Sequence, residues 1–91
     1  MIRAKEGFII QKMMNNYMIL AIGDSAQTFR SIIQTNETGA FYWHLLEKGT
    51  TLESMIQATL EHFADLDEPT ARQDIQEFLE SISHAVETIQ E

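Results

Sequence analysis

Between Thr35 and Leu46 the run TNETGAFYWHLL changes the period of the apolar side chains, and that change constrains the fold more than any other feature of the chain. Ahead of it, Phe8 to Met14 and Tyr17 to Ile22 are rich in β-branched, aromatic and Met side chains and are parted by Asn15-Asn16, the pattern of a β-hairpin. Asn tolerates a positive φ, so a two-residue turn over Asn15-Asn16 is expected. Gly23-Asp24-Ser25-Ala26 is loop chemistry. Thr28 to Gln34 then alternates, with Phe29, Ser31 and Ile33 on one face and Thr28, Arg30, Ile32 and Gln34 on the other, as in a half-buried strand. Three sequential strands make a meander whose third strand is an edge.

From Asn36 onward the period becomes helical. Asn36 is an N-cap with Glu37 in the first turn, and Lys48-Gly49 supplies a basic last turn and a glycine stop, so a first helix spans about Glu37 to Lys48. Its Ala40, Phe41, Tyr42, Trp43, Leu45 and Leu46 leave little polar face, which predicts a central helix packed on both sides. A capping box, Thr50-x-x-Glu53, opens a second helix with Leu52, Met55, Ile56, Leu60 and Phe63 at helical spacing. Ala64-Asp65-Leu66-Asp67 breaks the pattern, and Pro69, the single proline, sits where a first turn tolerates it. The third helix carries an apolar stripe of Ile75, Phe78, Leu79, Ile82, Val86 and Ile89, with Gln73, Glu77, Glu80, His84, Glu87 and Glu91 opposite.

The fold class that follows is α+β, a three-stranded antiparallel β-meander followed by three helices, resembling a winged helix-turn-helix with the wing first. With 91 residues and no internal repeat or linker, a single domain over 1–91 is expected. There is no cysteine, so disulfides and thiolate sites are excluded. Glu6 and Gly7 interrupt any signal-peptide pattern, and the longest apolar run, Tyr17 to Ile22, is far below a membrane span of about 20 residues, so a cytoplasmic protein with no membrane partner is expected.

Charge is unevenly placed. Residues 1–45 hold four basic and three acidic side chains, whereas residues 46–91 hold two basic and eleven acidic ones. The helical half would repel a phosphate backbone, and the third helix has no Lys or Arg after Arg72. The winged-helix DNA-binding regulator is therefore an alternative and nucleic acid is not the expected partner. His44, His62 and His84 match no metal-ligand spacing, and Asp65, Asp67 and Glu68 lack the glycine and distal glutamate of a calcium loop. Neither a nucleophile elbow nor a phosphate loop is present, so no enzyme activity, metal or cofactor is expected. Met13, Met14 and Met18 flank the hairpin turn, where gap-filling in a small core is the commoner use and an adaptable binding surface the other. The edge strand offers unpaired N–H and C=O groups to which an extended peptide could add, or through which two copies could pair as a homodimer.

The run TNETGAFYWHLLEKGTTLESM, with EGFIIQK, GDSAQTF and TARQDIQEFLESI, is similar to the PqqD-like family over nearly the whole chain. The resemblance implies a small winged-helix peptide chaperone, a RiPP recognition element, that binds the leader segment of a ribosomally made precursor peptide. It implies presentation of that leader to a modifying enzyme, commonly a radical S-adenosylmethionine protein, without catalysis. The leader would add to the third strand along Phe29, Arg30, Ser31, Ile32, Ile33 and Gln34. The opposite groove wall would be drawn from Arg72, Ile75, Phe78, Leu79 and Ile82. The acidic third helix predicts a leader with Lys or Arg beside its apolar anchors. The TNETG stretch itself is expected to be scaffold that touches no ligand, and the closing HAVETIQE is expected to prolong the third helix.

Overall fold

The computed structural model describes residues 1–23, 26 and 32–89. Strands β1 (Ile2–Ala4), β2 (Phe8–Met13), β3 (Asn16–Ala21) and β4 (Ile33–Thr35) precede helices α1 (Glu37–Lys48), α2 (Leu52–His62) and α3 (Glu68–Ser81). A 3-10 turn (Ser83–Ala85) and strand β5 (Val86–Thr88) follow. The expected meander is present: β2, β3 and β4 form an antiparallel sheet in that order, followed by three helices. Of the third strand expected from Thr28 to Gln34, Ile33 and Gln34 lie in β4 and Thr28 to Ser31 fall outside the described residues.

The hairpin turn is one residue earlier than the sequence suggests. Met13 pairs with Asn16, so Met14 and Asn15 are the central residues, and Met14 takes a φ of 52°. The apolar alternation sets this register: Phe8, Ile10, Ile19 and Ile33 pack on the core, and slipping by one would turn them all to solvent. A positive φ at the first central residue alone is a position that favours glycine. Met14 is 93% exposed and gains no packing for its strained backbone. Met14→Gly is expected to raise stability by about 0.5–1 kcal/mol. That is a gain of roughly 3–6 °C in the midpoint of a thermal melt.

The helices start largely as their caps dictate. Asn36 Oδ1 accepts from Gly39 N at 2.9 Å, and Asp67 Oδ1 accepts from Thr70 N at 2.9 Å with Pro69 in the first turn. The second cap is Thr51, whose Oγ1 accepts from Ser54 N at 3.1 Å, and not Thr50. Thr50 is taken up instead by backbone bonds with Ile2, at 2.7 and 2.8 Å.

α1 is central, as its composition predicts. Its Tyr42, Trp43 and Leu46 meet Met55 and Ile56 of α2, Ala71 and Ile75 of α3, Ile19 of β3, and Ile82 and Ala85 beyond α3. Each large apolar side chain buried there contributes about 1.5–3 kcal/mol.

The expected continuation of the third helix through Val86 and Ile89 is corrected. α3 stops at Ser81, and Val86 to Thr88 pair antiparallel with Ile2 to Ala4. Ile82, Val86 and Ile89 have helical spacing by coincidence; the short β-branched run is drawn into a strand because β1 offers it a partner. Arg3 Nε donates to Glu87 Oε2 across this pair at 2.9 Å. Among the described residues no helix is long and apolar enough to cross a membrane.

Candidate functional site

The two-residue turn makes Met13–Asn16 a hydrogen-bonded pair, so alternate residues of β3 bond back to β2 while Tyr17 and Ile19 bond forward to β4. Their partners on β4 are Thr35 and Ile33. Gln34, between them, must direct its N–H and C=O at the other side of β4. Among the described residues no strand lies there. The side chains alternate too: Ile33 packs on the core, and Gln34 points to the opposite face beside Met18.

The end of β4 turns directly into α1, and between this corner and α3 lies a cavity of about 250 Å³. Thr35, Asn36, Gly39 and Tyr42 form one side, and Asp74, Glu77, Phe78 and Ser81 form the other. Gly39 permits the close approach. A Cβ there would overlap Thr35 Oγ1 and lie 2.9 Å from Thr35 Cβ and 3.1 Å from Phe78 Cε1. Phe78, half-buried, packs on the buried ring of Tyr42 with 5.3 Å between centroids.

The polar groups of this cavity are largely committed as donors. Tyr42 Oη donates to Asp74 Oδ2 at 2.6 Å, and Ser81 Oγ donates to the Phe78 carbonyl at 2.7 Å. Burial, then the hydrogen bond to Asp74 and its negative charge, push the Tyr42 phenol well above its usual range, so it stays a neutral donor. Asp74 and Glu77 bring two carboxylates, and among the described residues no cationic side chain lines the cavity.

Of the residues the sequence assigned to the far wall, Phe78 lines this cavity. Leu79 is half-buried against the core, and Ile75 and Ile82 have no exposed surface at all. Arg72 faces α2: its guanidinium holds both oxygens of Glu53 at 3.0 and 3.2 Å and Glu68 Oε1 at 2.7 Å. Most of the expected stripe thus lies on the core, and the cavity is lined from neighbouring helical positions. Asp74, Glu77, Phe78 and Ser81 form their own i, i+3, i+4, i+7 stripe, which the sequence carries as openly as the apolar one. The apolar stripe is the core face, and the groove takes the neighbouring one. Of the residues expected to pair with a peptide, Ile33 and Gln34 lie in β4, Ile32 precedes the strand and is exposed, and Phe29, Arg30 and Ser31 lie outside the described residues. The TNETG stretch, expected to be scaffold alone, lines the cavity through Thr35, Asn36 and Gly39.

The methionines that flank the hairpin turn do not fill the core. Met13 is 45% and Met14 93% exposed, and with Met18 and Gln34 they border a cavity of about 360 Å³ on the other face of the sheet. The three histidines stand apart: His44 meets Glu47 at 2.7 Å, His62 stacks on Phe41 at 4.4 Å between centroids, and His84 lies in the 3-10 turn.

The sequence profile of a family described as Coenzyme PQQ synthesis protein D (PqqD) matches residues 17–85. No curated protein matches the chain. Among solved structures the chain is similar to one described as TbiB1 in complex with the TbiA(beta) leader peptide. The TM-score is 0.74 over 98% of this chain and 99% of that one, at 18% identity, so the likeness is one of fold.

Proposed function

Since the chain belongs to the PqqD family, we propose that it is a non-catalytic peptide chaperone that binds the leader segment of a ribosomally made precursor peptide. The leader adds to the open edge of β4 as a further antiparallel or parallel strand and lies in the groove against α3. The chaperone then presents it to a modifying enzyme, for which a radical S-adenosylmethionine protein is the class the family resemblance implies. The observation that carries this reading is the outward N–H and C=O of Gln34 on a strand edge that runs into a cavity walled by α3. The leader peptide bound by TbiB1, a protein of the same fold, supports it. Two carboxylates in the groove, and the pairing of Arg72 with Glu53 and Glu68, make the same surface unsuited to a nucleic-acid backbone.

The test uses the outward direction of Gln34. Proline there removes a donor that β3 does not use, and edge strands tolerate it. Gln34→Pro should leave the melting midpoint within about 5 °C of wild type, the effect of a surface change near 1 kcal/mol or less. Affinity for a synthetic leader peptide that binds the wild type should fall at least about tenfold, the equivalent of 1.4 kcal/mol. Amide shifts of the labelled protein on titration should cluster at Ile32 to Thr35 and on α3. Shifts confined elsewhere, or an unchanged affinity in Gln34→Pro, would refute strand addition at β4.

A further inference from the structure

The geometry points to a cation-selective subsite in the groove: Asp74 and Glu77 receive a Lys or Arg side chain of the bound peptide, whose alkyl stem lies along Phe78. This inference rests on the strand-addition reading and adds to it the chemistry of one pocket. Side chains alternate across a sheet, so an added strand beside β4 turns every second residue toward the face that carries Ile33 and Thr35. The inward residue level with Thr35 enters the cavity between Thr35 and α3.

What that residue meets is decided by which hydrogen-bonding capacity is left. The Tyr42 hydroxyl is spent on Asp74 Oδ2 and the Ser81 hydroxyl on the Phe78 carbonyl. Asn36 Oδ1 accepts from Gly39 N, which leaves its Nδ2 as a neutral donor at the edge of the cavity. Gln73 Nε2 approaches Glu77 Oε1 at 3.3 Å. The lone pairs of Asp74 Oδ1 and Glu77 Oε2 appear in none of these bonds, so among the described residues the charged groups left to a ligand are two anionic acceptors. A carboxylate would be repelled, and a neutral amide would bring one donor fork where two anions wait. An ammonium or guanidinium brings donors to both carboxylates, and its methylenes lie against the half-buried Phe78 ring. The cavity, at about 250 Å³, suits one long side chain. The acidic excess of α3 is thereby focused on one position of the peptide.

A random-peptide display library panned on the immobilised protein, with Asp74→Asn/Glu77→Gln and Gln34→Pro as comparison baits, tests this. Asp74 and Glu77 are exposed and their amides keep the shape, including an acceptor for Tyr42, so the double variant should fold as wild type, which a thermal melt checks. Wild type should enrich peptides with Lys or Arg at one fixed position, flanked two residues away by apolar side chains. The double variant should lose that enrichment, and a synthetic binder from the wild-type selection should bind it about five- to tenfold more weakly, with most of the loss erased in high salt. The Lys→Gln form of that peptide should bind both proteins alike. Binders that shift Ile32 to Thr35 yet show no basic position, or that bind the double variant equally, overturn the cationic subsite and leave strand addition standing. Selected peptides that bind Gln34→Pro as well as wild type and leave Ile32 to Thr35 unshifted overturn both.

Discussion

Gly39→Ala is expected to destabilise the protein by about 1–3 kcal/mol although it lies inside a helix, where alanine is intrinsically the better residue by about 1 kcal/mol. The reason is the corner between β4 and α1. The new Cβ would occupy the position of Thr35 Oγ1 and crowd Thr35 Cβ at 2.9 Å and Phe78 Cε1 at 3.1 Å. Phe78 has an end that can tilt; Thr35 is held by its pairing with Tyr17 and by the helix that begins two residues later. The chain must therefore move β4 outward or give up the first turn of α1. Either response changes the groove, so peptide affinity should fall together with stability. Thr35→Ala removes the overlapping oxygen and should restore a substantial part of both in the double variant, giving a coupling of about 1 kcal/mol or more between the sites. Urea melts of the four proteins decide the matter, and a Gly39→Ala single variant more stable than wild type would sink the argument.

Trp43→Ala should be the most damaging single truncation in the core, costing about 3–5 kcal/mol. The indole is fully buried among side chains from β3, all three helices and the turn beyond α3. A protein of this size has a total stability of only about 5–15 kcal/mol, so the variant should be largely unfolded at modest urea. Trp43→Phe should behave differently, for an electrostatic reason. Trp43 Nε1 is buried without a hydrogen-bond partner among the described residues, which costs about 1–3 kcal/mol. Phenylalanine loses some buried area and removes that unpaired donor, so its net cost should stay below about 1.5 kcal/mol. Equal destabilisation by Ala and Phe would show that the indole N–H is satisfied in solution.

These two residues frame how the groove is built. Trp43 fixes α1 in the centre of the molecule, and Gly39, one turn earlier on the same helix, lets β4 and α3 approach it. The family-like run around them is thus both core and groove lining. The open backbone of Gln34, the Tyr42 to Asp74 bond and the carboxylate of Glu77 are brought to one place by a helix that is itself buried on Gly39, Ala40, Tyr42, Trp43 and Leu46.

What the sequence determined by itself was everything governed by neighbours in the chain. Asn36 caps α1 because its side chain reaches an amide three residues on, and Gly49, at a φ of 85°, ends α1 because it lacks a Cβ. Alternation and helical period set the meander, the central helix and the core stripe of α3 for the same local reason. Tertiary structure decided the rest. Val86 to Thr88 became a strand because β1 presents a free edge, and Thr50 ceased to be a cap because Ile2 claims its backbone. Arg72 turned to Glu53 on another helix, which no spacing within α3 encodes. The groove itself belongs to this second class: a stripe at 74, 77, 78 and 81 is only another solvated face until β4, admitted by Gly39, is laid beside it.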